Sequence, residues 1–265
     1  MPRSTLGSVP LALSIGCLCF GSAGPACGEA ETQDLTANEL TLQTGESVRY
    51  ELAWSWEGAE EGTFHTDLGF EVTLEAAYVA SVSAVLVPCA DDAEEETSWV
   101  EWLAPKTARA DHGYEWDDSL VFAPVVENAF DTETRELGVG LASGHTYCEL
   151  HWSSAAVSAI SDDGFAMQSA VYVRGSYTSP SGVVRAFEAD TTLGAGALRE
   201  LDVTSFAEAS LRGVDGAGVG AVVLLTRYPA RAFDGEDLDA LSDEEVAYAF
   251  VRGLCASAEP RAVGL

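Results

Sequence analysis

The chain has 265 residues, with 13 Lys plus Arg against 43 Asp plus Glu, and a formal net charge of −30 at pH 7. A surface with that balance repels phosphate backbones, which are bound through clusters of Lys and Arg, and it repels anionic lipid headgroups. Nucleic acid is therefore excluded as a partner, and contact with a membrane is expected only through a lipid anchor. Hydrophobic residues make up 47% of the chain and include six Trp, which is enough to fill a core and argues against global disorder.

Residues 1–26 read as a signal peptide or lipoprotein signal. Arg3 supplies the positive start, and an apolar stretch from Leu6 to Ala23, broken by Pro10, is short for a membrane span. Ser14-Ile15-Gly16-Cys17 has the form of a bacterial lipobox with Cys17 as the lipidation site, although Leu13 stands one place early. Conventional cleavage near Ala26 or Ala30 is the alternative. Either route predicts export to the periplasm or outer membrane of a Gram-negative bacterium. Residues 27–35 are small and polar and read as a flexible tether. Residues 36–258 are expected to form one β-sandwich domain, and 259–265 a C-terminal tail.

Strand signals begin at Val48. Val48, Tyr50, Leu52, Trp54 and Trp56 alternate with more polar neighbours, the period of a half-buried strand. Phe70, Val72 and Leu74 predict a second strand. Residues 77–88 are continuously apolar and predict a third, central one, which Pro88 ends. Residues 90–97 are an acidic loop. From Trp99 to Leu141 no period is sustained and Pro105 and Pro124 intervene, which predicts a long irregular excursion with one short strand. Strand patterns resume over 145–152, 170–177, 183–193, 198–206 and 221–228, with Pro180-Ser181-Gly182 as a hairpin turn. One helix is specified near the C-terminus. Ser242 and Glu245 form a capping box, Val246, Phe250 and Leu254 share a face, and Gly253 is its expected terminator. Many strand candidates, no βαβ alternation and one late helix predict a mainly β fold. It is an antiparallel β-sandwich, immunoglobulin-like or related, with a C-terminal α-helix packed at its end or edge.

Cys89, Cys148 and Cys255 lie in the domain without a CxxC pair, so zinc-ribbon and thioredoxin chemistry are not expected. In an oxidising compartment a structural disulfide is the default. Cys89 and Cys148 each sit at a strand signal and are the expected pair. Cys255 is the alternative partner, and cleavage just before Cys27 would supply a fourth cysteine.

No Gly-x-Ser-x-Gly, His-Glu-x-x-His or phosphate-loop motif is present, and no enzymatic activity is expected. The glycines at 213–220 lack the lysine of a nucleotide site and read as a turn. Residues 234–245 have the acidic ends of a calcium loop, but Leu238 and Asp239 stand where a ligand and a glycine are needed. Four histidines remain. Imidazole suits copper and zinc, and His65 shares a strand face with Asp67. A site would use His65 and His112, with His151 as third ligand and Asp67 as a carboxylate ligand or the group orienting a ring. The alternative is that these are ordinary surface histidines.

Phe64-His65-Thr66-Asp67-Leu68-Gly69-Phe70, Val87-Pro88-Cys89, Gly144-His145-Thr146-Tyr147-Cys148 and Tyr228-Pro229-Ala230-Arg231-Ala232-Phe233-Asp234-Gly235 together resemble uncharacterised exported lipoproteins of the myxobacterial type. More distantly the chain is similar to the periplasmic copper-binding protein associated with methanobactin operons. That resemblance implies a β-sandwich and copper held by histidines beside a modified tryptophan. In the lipoproteins a histidine-rich segment follows the first cysteine, and Ala110-Asp111-His112-Gly113 is the stretch that corresponds. The expected function is thus non-enzymatic binding of copper or zinc in the cell envelope. A metal-free surface lipoprotein serving as an interaction or structural module is the alternative.

Overall fold

The computed structural model describes residues 39–60, 62–89, 117–203 and 219–264. The strands, in chain order, are β1 (Leu40–Thr41), β2 (Ser47–Trp54), β3 (Thr63–His65), β4 (Glu71–Pro88), β5 (Val121–Asn128), β6 (Arg135–Leu141) and β7 (Thr146–Ser154). They continue as β8 (Ala159–Ile160), β9 (Ala166–Met167), β10 (Val171–Thr178), β11 (Val184–Thr191), β12 (Ala195–Glu200), β13 (Asp202–Val203), β14 (Val219–Arg227) and β15 (Glu259–Gly264), with helix α1 at Asp243–Ser257. The fold is mainly β and sandwich-like, with a single C-terminal helix among the described residues.

The larger sheet runs β1-β7-β4-β10-β11, with β12 on β7 and β3 and β5 on β4; the second runs β13-β15-β14-β2-β6. Val48, Tyr50 and Leu52 of β2 and Val223 and Leu225 of β14 pack on Leu86, Tyr147, Leu150 and Trp152 of the larger sheet. The remaining half of the larger sheet, β10 and β11, is covered by α1: Val173 and Phe187 share a cluster with Val246, Phe250 and Leu254. The helix therefore lies over a sheet face rather than at an end. Most ladders are antiparallel, but β2–β14 and β13–β15 run parallel. A small β8–β9 hairpin closes the outer side, where Met167 meets Ala80 and Val126.

Among the predicted boundaries that move, three have a reason in the local chain. The strands expected at 70–74 and 77–88 are one long strand, β4. The inward parity passes from Val72 and Leu74 to Ala77 and Val79 because the pairing with β10 shifts at Arg174/Gly175, leaving Glu75 as the extra residue of a bulge. The expected irregular excursion holds two strands, β5 and β6. Pro124 is accommodated where the β4–β5 register shifts between Ser81 and Ser83, the kind of site a strand proline requires. The expected tail at 259–264 is β15, which sits between β13 and β14 and buries Ala262 and Val263.

The capping box forms as expected, with Ser242 N donating to Glu245 Oε2 at 2.8 Å. Gly253 does not end the helix, which continues to Ser257. A Cβ at Gly253 would lie 1.8 Å from the Ala232 carbonyl oxygen, so the glycine admits the chain that leaves β14. Gly253→Ala is accordingly expected to cost about 3 kcal/mol, the upper range for overpacking, although alanine is the better helix former. Urea unfolding would check this; an unchanged midpoint would show that the contact relaxes freely.

The four stretches that carried the resemblance meet in two pairs. Asp67 N donates to Asp234 Oδ1 at 3.2 Å, and Gly235 N donates to Asp67 Oδ1 at 2.7 Å. Phe64 and Phe233 stack at 6.4 Å beneath that bracket. The other two are joined by the Cys89–Cys148 disulfide, with Cα atoms 5.0 Å apart.

Candidate functional site

The expected metal ligands lie on different parts of the molecule. His65 ends β3 opposite Glu71, 72% of its side chain is exposed, and Nε2 is 3.9 Å from Glu71 Oε2. His151, in β7, stands opposite Val85 of β4 and Leu198 of β12. From Glu71 to Val85 the strand covers about 45 Å at ~3.3 Å per residue. His65 and His151 therefore cannot share one ion, whose nitrogen ligands sit about 2.0 Å from it. This corrects the expected grouping of His65 with His151. Asp67 Oδ1 accepts a hydrogen bond from the Gly235 amide. His112 and Cys17 lie outside the described residues. Among the described residues no group of three or more His, Cys, Asp or Glu is placed to hold a metal ion.

Cys89 and Cys148 are bonded, as expected from their strand positions, with S–S at 1.95 Å. Cys89 N also donates to Thr146 O at 2.8 Å, so the bridge and the β4–β7 ladder reinforce each other. Cys255 is a free, buried thiol. Burial pushes its pKa up to about 12, which removes it from nucleophilic and redox chemistry at neutral pH.

A polar cluster that the sequence reading missed crosses the sandwich. Arg227 is fully buried and Glu127 is 3% exposed. Arg227 Nη1 and Nη2 donate to Glu127 Oε2 and Oε1 at 2.7 and 2.6 Å, and Ser81 Oγ donates to Oε2 at 2.8 Å. The guanidinium lies 3.8 Å from the centroid of the Trp54 ring and 5.5 Å from that of Trp152. β14 and β2 come from one sheet, and β4, β5 and β7 from the other, so the pair pins the two sheets together. A signal was available in the sequence. Arg227 continues the inward parity of Ala221, Val223 and Leu225 in an otherwise apolar strand, which places a cation on the core face.

An open groove of about 660 Å³ lies along β12 and β15 and is lined by Glu149, Arg199, Glu200, Asp202, Glu259 and Arg261 among others. Most of these charges are spent locally. Arg199 donates to the Cys255 carbonyl at 2.8 Å and to that of Ala256, capping the helix where its dipole is negative. Tyr228 Oη donates to Glu259 Oε2 at 2.7 Å, and Arg261 pairs with Asp202 at 3.5 Å. The burial that surrounds the Tyr228 hydroxyl, with Glu259 beside it, raises its pKa to about 12, so it stays a donor at neutral pH. Most of the groove's charged side chains thus serve pairs within the fold. Comparison with protein-family models, with curated proteins and with solved structures finds no match.

Proposed function

We propose that the protein is exported and serves in the cell envelope as a non-enzymatic interaction module built on a rigid, disulfide-stapled sandwich. The supporting observation is the Cys89–Cys148 bridge, since persistent disulfides belong to oxidising compartments. It agrees with the signal-like residues 1–26 and with an acidic surface that keeps the module soluble. Copper or zinc is not part of this proposal, because His65 and His151 do not converge.

The test is mass spectrometry and metal analysis of the full chain, expressed in a Gram-negative host and purified from the envelope without added metal. The expected product lacks its first residues, carries lipid on Cys17 or begins after Ala26, links Cys89 to Cys148, and holds no stoichiometric metal. An unprocessed Met1 chain would overturn export. Stoichiometric copper or zinc that is lost on His112→Ala would restore the metal site.

A further inference from the structure

The interaction-module reading leaves open what such a module would grip, and the far end of the larger sheet offers an answer. Among the described residues β11 is the terminal strand on the β10 side. It pairs with β10 through eight consecutive residues without a register shift, and it contains neither proline nor lysine. Exposed edges are usually blunted by bulges, prolines, short length, charged side chains or a covering element; β11 is long, unbulged and free of proline, and the charges it turns outward, Glu188 and Asp190, are both acidic. The opposite edge of the second sheet, β6, is interrupted by a register shift against β2.

The hydrogen-bonding direction along β11 follows from its ends. Ser179 N donates to Val183 O, and Ala170 N donates to Thr191 O, so odd-numbered residues turn their backbone groups toward β10. In an antiparallel ladder the direction alternates at each residue. Val184, Ala186, Glu188 and Asp190 therefore turn their N–H and C=O groups to the open edge. The side chains of these same residues are exposed, whereas Phe187, Ala189 and Thr191 are buried. One row of charge crosses this solvent face: Glu75 pairs with Arg174 at 3.2 Å, and Arg174 stands opposite Glu188. The row reads minus, plus, minus and stops at the edge, where a cation would continue it.

We propose that β11 is a strand-addition site for an extended, basic segment of another protein. The added strand pairs with Val184, Ala186, Glu188 and Asp190. On its solvent face it carries apolar residues opposite the first two and Lys or Arg opposite the last two. Main-chain bonds supply the affinity and the alternate side chains the register. A second copy of this chain does not fit, because it would bring a net charge of −30 against the same sign and no cation opposite Glu188.

This inference rests on the module reading, yet its test is independent of export and metal. The probe is a capped nonapeptide, Thr-Lys-Thr-Lys-Thr-Val-Thr-Val-Thr, which places its lysines opposite Asp190 and Glu188 in the antiparallel sense. Residue-resolved amide exchange of the purified domain should show new protection at residues 184, 186, 188 and 190. Ala186→Pro, which removes one outward N–H and none of the β10 ladder, should weaken binding at least tenfold with an unchanged circular dichroism spectrum. The double variant Glu188→Lys, Asp190→Lys should do the same and should recover binding to a peptide with Glu in place of Lys. Unprotected amides at saturating peptide, or equal binding by the proline variant and the parent, would overturn the proposal while leaving export and disulfide formation untouched. Protection by the reversed peptide alone would overturn the antiparallel register, and with it the pairing of cations to Glu188 and Asp190.

Discussion

Glu127→Gln is expected to lower the stability of the fold by about 3–5 kcal/mol, the range for stranding one member of a buried ion pair. Arg227 would keep its charge with no exposed surface and no anion. Desolvation of an unpaired guanidinium is not repaid by two indole faces, since a desolvated cation–π contact contributes about 2 kcal/mol. The glutamine oxygen can accept one of the two bonds that the carboxylate now accepts from Nη1 and Nη2, and its amide nitrogen faces another donor. The double variant Glu127→Leu, Arg227→Met should recover most of the loss, because a buried pair is often no more stable than an apolar replacement of similar volume. Urea unfolding of both variants measures this directly. A loss below about 1 kcal/mol for the single variant would mean that water reaches the pair and that it does not pin the sheets.

The second large effect belongs to the disulfide. Cys89 and Cys148 are separated by 59 residues, so the bridge closes a long loop in the unfolded chain. The chain-entropy relation assigns about 4 kcal/mol to a loop of that length. Replacing both cysteines with alanine should therefore bring the fold near its stability limit, given the 5–15 kcal/mol, roughly, that typical domains possess. The parent protein should unfold at a markedly lower urea concentration in reductant than in air, and the Cys89→Ala, Cys148→Ala variant should ignore reductant. Identical midpoints for the parent with and without reductant would place the folding determinants elsewhere.

The fold was legible wherever one periodicity ran without interruption. β2, β10, β14 and α1 lie where alternation and the capping box placed them, and the hairpin at Pro180-Ser181-Gly182 joins β10 to β11. Legibility failed where one local rule hid another. At Glu75 a bulge resets the parity, and a pattern read residue by residue takes the reset for a strand end. Pro124 suggested irregular chain because proline cannot serve a central ladder, but a bulge tolerates it. Residues 259–264 carry Glu259, Pro260 and Arg261 at the end of the chain, and their strand state comes from β13 and β14 on either side, not from local propensity. The histidines misled for a different reason. Two residues that look comparable in sequence can stand at opposite ends of one long strand, and sequence spacing does not measure that. Arg227 was readable by parity but was passed over because attention went to residues with ligand chemistry rather than to charges on the core face.

The parallel contact between β2 and β14 has a consequence for how the molecule comes into being. β2 comes early among the described residues, while β14 and β15 follow it by more than 160 residues, so the second sheet cannot be completed until those late strands are free. Contacts this distant in sequence make folding slow, and until β14 emerges a nascent chain offers β2 only β6 to pair with. Under the proposed export, that delay would keep the core open while the chain is threaded through a membrane in extended form. A chain truncated before β14 should stay unfolded and protease-sensitive.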